Sequence, residues 1–360
     1  MEKKREEKAV KKNFDFVDTI RCISMMGIVF EHCAAVRSGI YSSLFDTTVE
    51  TSLIQSFKFS TIAFFLIGGF LINHKFQEYT AKEYLKNRFK STIRPWLFWL
   101  LVFVALMILD RYVAYVKGRD NTIVTDFFGY AWSQFVFGLF YTSSWFVLNF
   151  LLCICILLIF KKYLYNWWFG AILGIISLVY SFNLYHNWFV TKHSMALFGF
   201  VFYLWLGVIL NRYFDKVMNY IKRIKWPTMI LTVAGFFALA VLESFELLNL
   251  GSEDAYNTLR VSNIFYSFAM FALLLKIGSI DILQKKMEPR QTTFGIYLIH
   301  YVLIVRLLPL IFQPLKLKYL DYSIWVNSGI HISRFLIVYG ISFGLVKLIR
   351  LTRFKWIVGG

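Results

Sequence analysis

The stretch from Phe14 to Val36, FDFVDTIRCISMMGIVFEHCAAV, is apolar and long enough to cross a lipid bilayer. Ionisable groups are costly inside the hydrocarbon core unless they face protein or water. This stretch nevertheless includes Asp18, Arg21, Glu31 and His32. Their types suggest two kinds of chemistry, because a guanidinium binds anions and an imidazole accepts a proton from a hydroxyl group.

The spacing of these residues predicts that three of them share one face of a helix. Arg21 and His32 are eleven positions apart, which is about three turns plus roughly 20°, or about 16 Å along the axis. Asp18 lies one turn before Arg21 and is placed to pair with it. Glu31 projects about 100° away from His32, as a helix-packing partner or as an orienter of the imidazole. A second interpretation also stays open, in which Asp18 and Arg21 anchor the helix end and His32 is a core residue.

The composition predicts a membrane protein. Of the 360 residues, 58% are hydrophobic and 20% are aromatic, well above the apolar share of a soluble domain. The formal charge of +18 is unevenly distributed, with 26 lysines and arginines in the loops of one side and six in the opposite loops. This asymmetry indicates topology and contact with anionic lipid, and it argues against a nucleic-acid partner. The four cysteines fall inside apolar stretches, so neither a disulfide framework nor a metal site is expected.

The fold class predicted is an all-α, polytopic membrane helix bundle of about ten transmembrane helices with both termini in the cytoplasm. We expect one domain over residues 1–360, with tails at 1–14 and 351–360, a retained N-terminus and no appended soluble domain. Residues 127–141 are predicted to lie on the membrane or re-enter it. The ten spans are predicted at about 15–36, 52–73, 95–116, 144–160, 167–185, 195–210, from 227, 259–280, 293–313 and 328–350.

Five motifs in order resemble those of the acyltransferase-3 family, polytopic bacterial membrane proteins that transfer acyl groups, most often acetyl, to carbohydrates. The arginine, ten residues and histidine of Arg21 to His32, preceded by Asp18, are similar to the motif of the family's first helix. The other four motifs are FFLIGGFLI from Phe64, NRFKSTIRP from Asn87, SSWFVLNFLL from Ser144 and TFGIYLIH from Thr293.

The resemblance implies an O-acyltransferase of the bacterial inner membrane that uses acyl-CoA, most often acetyl-CoA, as a donor substrate and has no bound cofactor. The acceptor implied is a polysaccharide, lipid-linked sugar or glycolipid. Catalytic residues are then His32, Arg21 and Asp18, with His32 as general base or as a nucleophile that carries the acyl group. The predicted cations for the phosphate end of the donor are Arg21, Arg88, Lys90 and Arg94.

The resemblance also suggests that Tyr297 and His300 line the acceptor cavity. Glu31, and Trp145 as a surface on which a sugar ring could stack, are further candidates for this cavity. Each has a structural alternative, because Tyr297 and His300 also suit a packed core and Trp145 suits an interfacial aromatic belt.

Several other polar residues lie within the predicted spans. Arg306, His331 and Arg334 are expected to receive a carboxylate such as Glu243 or Glu246, or to bind an anionic acceptor. Gly68 and Gly69, with Gly199 and Gly207, are predicted to permit close helix packing.

Two other classes of protein compete with the enzyme. A transporter or flippase for a glycan intermediate also carries ionisable residues inside its spans, but the sequence shows no inverted repeat or paired broken helices. A scaffolding membrane protein leaves the charges of the first span unexplained.

Overall fold

The computed structural model describes residues 14–35, 41–76 and 78–360. Two features of the sequence analysis lie outside these ranges, namely Arg37 and the basic run over residues 1–12. The described part is built of α-helices joined by short loops. These helices are α1 (Asp15–His32), α2 (Leu44–Gln55), α3 (Ser60–Ile72), α4 (Ala81–Arg88), α5 (Arg94–Val116), α6 (Thr122–Thr125), α7 (Phe127–Tyr141), α8 (Trp145–Ile159), α9 (Trp167–His186), α10 (Val201–Arg212), α11 (Phe214–Arg223), α12 (Trp226–Asn249), α13 (Val261–Ile277), α14 (Asp281–Met287), α15 (Pro289–Phe312) and α16 (Ile324–Arg350).

Six helical segments of the described chain are long and apolar enough to cross a membrane, and up to eight if each of two bent helix pairs is one span. The all-helical, multi-pass prediction is therefore confirmed, whereas the count of ten is not. Six of the predicted spans coincide with these segments, which are Leu44–Ile72, Ala81–Val116, Trp167–His186, Trp226–Asn249, Pro289–Phe312 and Ile324–Arg350.

The other four predicted spans differ from the helices in charge or in length. Helix α1 has 18 residues but four charges, which exceed what an exposed span tolerates. Helix α10 has only 12 residues, because residues 187–200 form a loop with a short 3₁₀ turn. Helices α8 and α13 have 15 and 17 residues, and each is joined to its neighbour at a sharp bend, of 65° to α7 and 94° to α14.

Helix α7, the segment predicted to lie on or re-enter the membrane, packs along α5. The Tyr130 hydroxyl donates a hydrogen bond to the Met107 carbonyl at 3.2 Å, and the Phe137 ring stacks on Phe103 at 6.3 Å. The chain then leaves helical geometry at residues 142–144 before α8 begins. Trp96 closes this break by donating from Nε1 to the Ser144 carbonyl at 3.2 Å. We refer to residues 142–144 as the α7–α8 break.

Helices α3 and α10 approach each other at backbone contact through two glycines. A Cβ atom at Gly69 would overlap the Leu204 carbonyl of α10, and a Cβ atom at Gly207 would overlap the Leu66 carbonyl of α3. The predicted packing role of these two glycines is thereby confirmed, as small residues let helix backbones meet in membrane proteins.

We expect Gly207→Leu to prevent stable folding, because the obstructing atoms belong to the α3 backbone and cannot rotate away. The measurement is the yield of monodisperse protein in detergent by size-exclusion chromatography. Gly235→Leu is the matched control, since a Cβ at this glycine of α12 meets open space. Equal yields of the two variants would contradict the packing role.

Helix α1 lies at the centre of the bundle, packed against α3, α13, α15 and α16. A Cβ at Gly27 would overlap Ser60 of α3, so α1 and α3 are also closely apposed. The buried face of α1 includes the polar Asp18, Thr19 and Ser24. The remaining helices therefore surround α1, and its two ends are named below the Asp18 end and the His32 end.

Candidate active site

Two arginines converge on one buried carboxylate at the Asp18 end. Asp18 is only 6% exposed, and its Oδ1 accepts a hydrogen bond from Arg21 Nη1 at 3.0 Å. Its Oδ2 accepts from Nε of Arg290, in the first turn of α15, at 2.6 Å. Arg290 also lies 3.7 Å from Asp15. The pairing of Asp18 with Arg21 follows the predicted spacing, and Arg290 is an additional member that the sequence analysis did not select.

The predicted donor-binding cations Arg88, Lys90 and Arg94 have their described contacts away from Asp18 and Arg21. Arg88 donates from Nε to the Tyr84 hydroxyl at 3.1 Å, and the Arg94 guanidinium lies 3.9 Å above the Trp356 ring. Lys90 is exposed in the π-helical turn Phe89–Ile93 that joins α4 to α5. The structure thus brings Arg290, and not these three residues, into contact with the Asp18 end.

His32 ends α1 and faces a second histidine. Its ring centre lies 5.5 Å from that of His300 and 6.1 Å from that of Tyr301, both on α15. His300 is fully buried, and its Nδ1 lies 2.6 Å from the Tyr297 carbonyl and 3.2 Å from the Ile296 carbonyl.

These contacts decide which nitrogen of His300 carries hydrogen. Because a carbonyl oxygen only accepts, the Nδ1 of His300 must be the protonated nitrogen. In the neutral ring, Nε2 then carries a lone pair, and among the described residues it has no hydrogen-bond partner. A buried acceptor without a partner is unusual in a folded protein, and here it lies beside the predicted catalytic histidine.

Tyr297 links α15 to the α7–α8 break. Its buried hydroxyl donates a hydrogen bond to the Ser143 carbonyl, and its ring lies 5.7 Å from that of His300. The tyrosine thus fixes the α7–α8 break beside His32 and His300. This contact is a positioning role, in addition to the predicted place of Tyr297 at the acceptor cavity.

Glu31 forms a buried ion pair with Lys58, a residue between α2 and α3 that is only 3% exposed. The structure therefore gives Glu31 a packing partner on a neighbouring segment. A lysine inside an apolar stretch was itself a signal for this pair, because such a residue needs a counter-ion.

Trp145, at the start of α8, is 6% exposed and contacts a third histidine. Its ring meets that of His193 edge to face at 5.4 Å. His193 lies in the loop before α10, and its Nδ1 is 2.7 Å from Oδ2 of Asp254, in the loop before α13. Burial raises the pKa of the Asp254 carboxyl, but His193 and Lys58 outweigh it and lower that pKa to about 2. Asp254 is therefore a carboxylate at neutral pH.

The ion pairs and the histidines at the His32 end belong to one polar cluster. Lys58 and His193 both interact electrostatically with Glu31 and with His32. The members come from helices and loops far apart in the chain, so spacing along the sequence could not have grouped them. This His32-end cluster is defined as Glu31, His32, Lys58, His193, Asp254 and His300.

Three other ionisable residues of the predicted spans have partners different from those expected. Arg306 pairs with Asp110 of α5, His331 Nε2 lies 2.7 Å from the Phe30 carbonyl, and Arg334 donates to the Cys33 carbonyl at 2.8 Å. The predicted partner Glu243 instead accepts hydrogen bonds from Tyr185, at 2.8 Å, and from Ser262. These residues join helices. Of the alternatives that the sequence left open, a pair between Glu243 and one of the three cations is not observed among the described residues.

The four cysteines are free thiols. Within the described ranges, no group of three or more His, Cys, Asp or Glu side chains is arranged to hold a metal ion.

A bundle of long apolar helices that surrounds one polar helix defines a multi-pass membrane protein with an internal polar site. The chain belongs to the acyltransferase-3 family, because the family model described as an acyltransferase domain matches residues 14–351. The predicted resemblance is confirmed, and membership implies an acyl donor and a hydroxyl-bearing acceptor. No curated protein and no solved structure matches the chain.

Proposed function

We propose that this membrane acyltransferase is an O-acetyltransferase of the bacterial inner membrane. It moves the acetyl group of cytoplasmic acetyl-CoA to a hydroxyl of a cell-surface or lipid-linked carbohydrate. Acetyl-CoA is a substrate in this scheme and not a resident cofactor. The observation that carries the proposal is the layout of α1, with a guanidinium cluster at one end and a histidine cluster about 16 Å away at the other. That separation is comparable to the length of the pantetheine arm of coenzyme A.

The Asp18 end supplies the donor phosphate site in this proposal. Asp18 holds Arg21 and Arg290 at fixed positions through one carboxylate oxygen each, at 3.0 and 2.6 Å. A guanidinium has five N–H donors, so each arginine keeps donors for a phosphate oxygen. Asp18 is then a positioning residue. The exposed Lys90 and Arg94 and the half-buried Arg88 are proposed to contact the phosphates during entry of the donor.

The His32 end supplies the acyl-transfer step. His32 takes the proton of the acceptor hydroxyl while its oxygen forms a bond to the thioester carbonyl carbon. The carbon–sulfur bond then breaks, and the proton passes to the coenzyme A sulfur, so the histidine is restored. The lone pair on Nε2 of His300 is available to orient the imidazole or the hydroxyl.

The acceptor site in this proposal lies among the polar groups around Trp145. Glu31 is paired with Lys58 and Asp254 lies in hydrogen-bond contact with His193, so these four residues offer hydrogen-bond donors and acceptors. Paired charges suit a neutral carbohydrate with many hydroxyl groups better than they suit an anion. Trp145 is buried, so we assign it to the wall of the site.

We expect Arg290→Ala to raise the KM for acetyl-CoA by tenfold or more with a smaller change in kcat, because a charge-assisted phosphate contact is lost. Lys retains the charge without the planar donor fork, so Arg290→Lys should restore part of the affinity. The measurement is acetyl transfer from labelled acetyl-CoA in inverted membrane vesicles. Arg353→Ala is the control, since Arg353 is an exposed cation whose described contact is the Phe354 ring. An unchanged KM in Arg290→Ala would refute the phosphate site.

The alternative function is a transporter or flippase for a polysaccharide intermediate. The bent pairs α7–α8 and α13–α14 favour it, because broken helices line the binding sites of transporters. The second pair is weaker evidence, since α14 has only seven residues and includes Asp281, Lys285 and Lys286.

The deciding experiment is mass spectrometry of surface glycans from cells with the wild-type gene, with His32→Ala and without the gene. The enzyme proposal requires an acetyl-sized mass, about 42 Da by composition, that occurs only with the wild type. Unchanged acetylation, with a changed amount or location of glycan, would favour the transporter.

A further inference from the structure

A small cavity lies between α5, α15 and the α7–α8 break. Its volume is about 20 Å³, and its lining includes Trp96, Trp99 and Phe103 of α5 and Leu298 of α15. The remaining wall is formed by the break itself and by two tyrosines, Tyr297 and Tyr301.

The two tyrosines place the cavity directly beside the histidine pair. Tyr301 meets the His32 ring edge to face at 6.1 Å, and the Tyr297 ring lies 5.7 Å from that of His300. A group bound at His32 therefore has this cavity as a neighbouring space.

Four polar side-chain atoms of the wall are occupied by hydrogen bonds within the protein, and the wall also includes the hydroxyl groups of Tyr301, Ser143 and Ser144. The Tyr297 hydroxyl and the Trp96 Nε1 donate to the carbonyls of Ser143 and Ser144, and the Trp99 Nε1 donates to the Ile357 carbonyl at 2.9 Å. The Thr142 hydroxyl donates to the Gly138 carbonyl. The surface left to an occupant is about equally polar and apolar, which suits a short acyl group, with its carbonyl oxygen and a methyl group, better than a longer alkyl chain.

The volume restricts the size of that group. A cavity of about 10 to 15 Å³ already holds one water molecule. About 20 Å³ therefore leaves room for a methyl or ethyl group but not for an extended alkyl chain.

We propose that this cavity binds the alkyl end of the transferred acyl group and limits it to two or three carbons. The inference rests on the proposed function and adds the specificity determinant for the donor. The thioester carbonyl lies against His32, and the methyl group points between Phe103 and Leu298. No bond to the cavity forms or breaks, so its effect is selection by size.

The test compares acetyl-, propionyl-, butyryl- and hexanoyl-CoA as donors in inverted membrane vesicles, with transfer to the native acceptor as the readout. The wild type should lose about tenfold or more in kcat/KM for each methylene beyond propionyl. Phe103→Ala and, on the opposite wall, Leu298→Ala should each raise the butyryl-to-acetyl ratio by at least tenfold. Phe271→Ala is the matched control, because Phe271 of α13 is 5% exposed, as Phe103 is, and lies outside the cavity.

The butyryl-to-acetyl ratio is used because it does not depend on the amount of folded protein, which a buried Phe→Ala change lowers. The inference is overturned if both cavity variants keep the wild-type ratio, or if the wild type uses hexanoyl-CoA as well as acetyl-CoA. Each of these results leaves His32-dependent transfer, and so the proposed function, intact. If the wild type transfers no acyl group from any of the four donors, the proposed function fails and this inference fails with it.

Discussion

His32→Ala should lower the rate of acetyl transfer in inverted membrane vesicles by about 10² to 10⁴, the usual contribution of a general base. The loss should appear in kcat, with the KM for acetyl-CoA little changed, since the proposed phosphate site is about 16 Å away along α1. The measurement is the initial rate with labelled acetyl-CoA, normalised to the amount of folded protein.

The control for this variant is His331→Ala. His331 is also buried and lies close to α1, with its Nε2 2.7 Å from the Phe30 carbonyl, but it is outside the His32-end cluster. Its replacement should reduce stability and leave the rate per folded molecule within about threefold of wild type. Transfer by His32→Ala at more than half the wild-type rate would rule out the proposed chemistry.

Lys58→Met should lower the free energy of unfolding by about 3 to 5 kcal/mol, the cost of leaving a buried charge without its partner. The reason is that Lys58 is only 3% exposed and the Glu31 side chain is 20% exposed, so the substitution leaves a largely buried carboxylate without its partner. The measurement is thermal unfolding of the purified protein in detergent, where we expect a clear fall in Tm.

The double variant Glu31→Gln/Lys58→Met separates this explanation from simple loss of packing. Removing both charges should recover most of the Tm, because neither group is then buried as an unpaired ion. Lys285→Met is the control, as its pair with Asp281 is more than three-quarters exposed and contributes about 1 kcal/mol or less. If the double variant is as unstable as Lys58→Met, the charge pairing is not what stabilises this region.

The sequence correctly predicted those features that depend only on residues close together in the chain. Apolar length predicted six of the spans, and helical periodicity predicted that Asp18 and Arg21 would pair on α1. The glycines of α3 and α10 were recognised as packing residues because small side chains have few other uses in a membrane helix.

Helix length was mispredicted where loops are held by side chains. Residues 195–200 were predicted to begin a span, yet they belong to the loop over residues 187–200. Asn149 of α8 donates to the Ala196 carbonyl at 3.3 Å, and the preceding part of the loop is held in the same way. Asn183 binds both the N–H and the carbonyl of Phe189 at 2.9 Å, and Asn257 donates to the Thr191 carbonyl at 2.7 Å. Such bonds satisfy the backbone without a helix, and hydropathy does not register them.

The sequence analysis selected residues of α1 and, from the family-like motifs, Trp145, Tyr297 and His300, but it missed the other residues that meet them. Arg290 was counted among the basic loop residues. The only sign of a role in the site was its position three residues before Thr293, where the motif TFGIYLIH begins. Lys58, a cation within an apolar stretch, was not selected, and its partner could not have been assigned from spacing. His193 and Asp254 meet between two separate loops, so neither residue had a local pattern to identify it.

The pairing of Asp18 with Arg290 also has a consequence for how the protein is made. The two residues are 272 positions apart, so at about 5 to 20 residues per second the carboxylate waits roughly 14 to 54 s for its second arginine. During that time, the four charges of α1 make its insertion into lipid unfavourable in the absence of the other helices. Its stable insertion therefore depends on the synthesis of α15, and ribosome-bound chains that end before Arg290 should leave α1 accessible to water-soluble reagents.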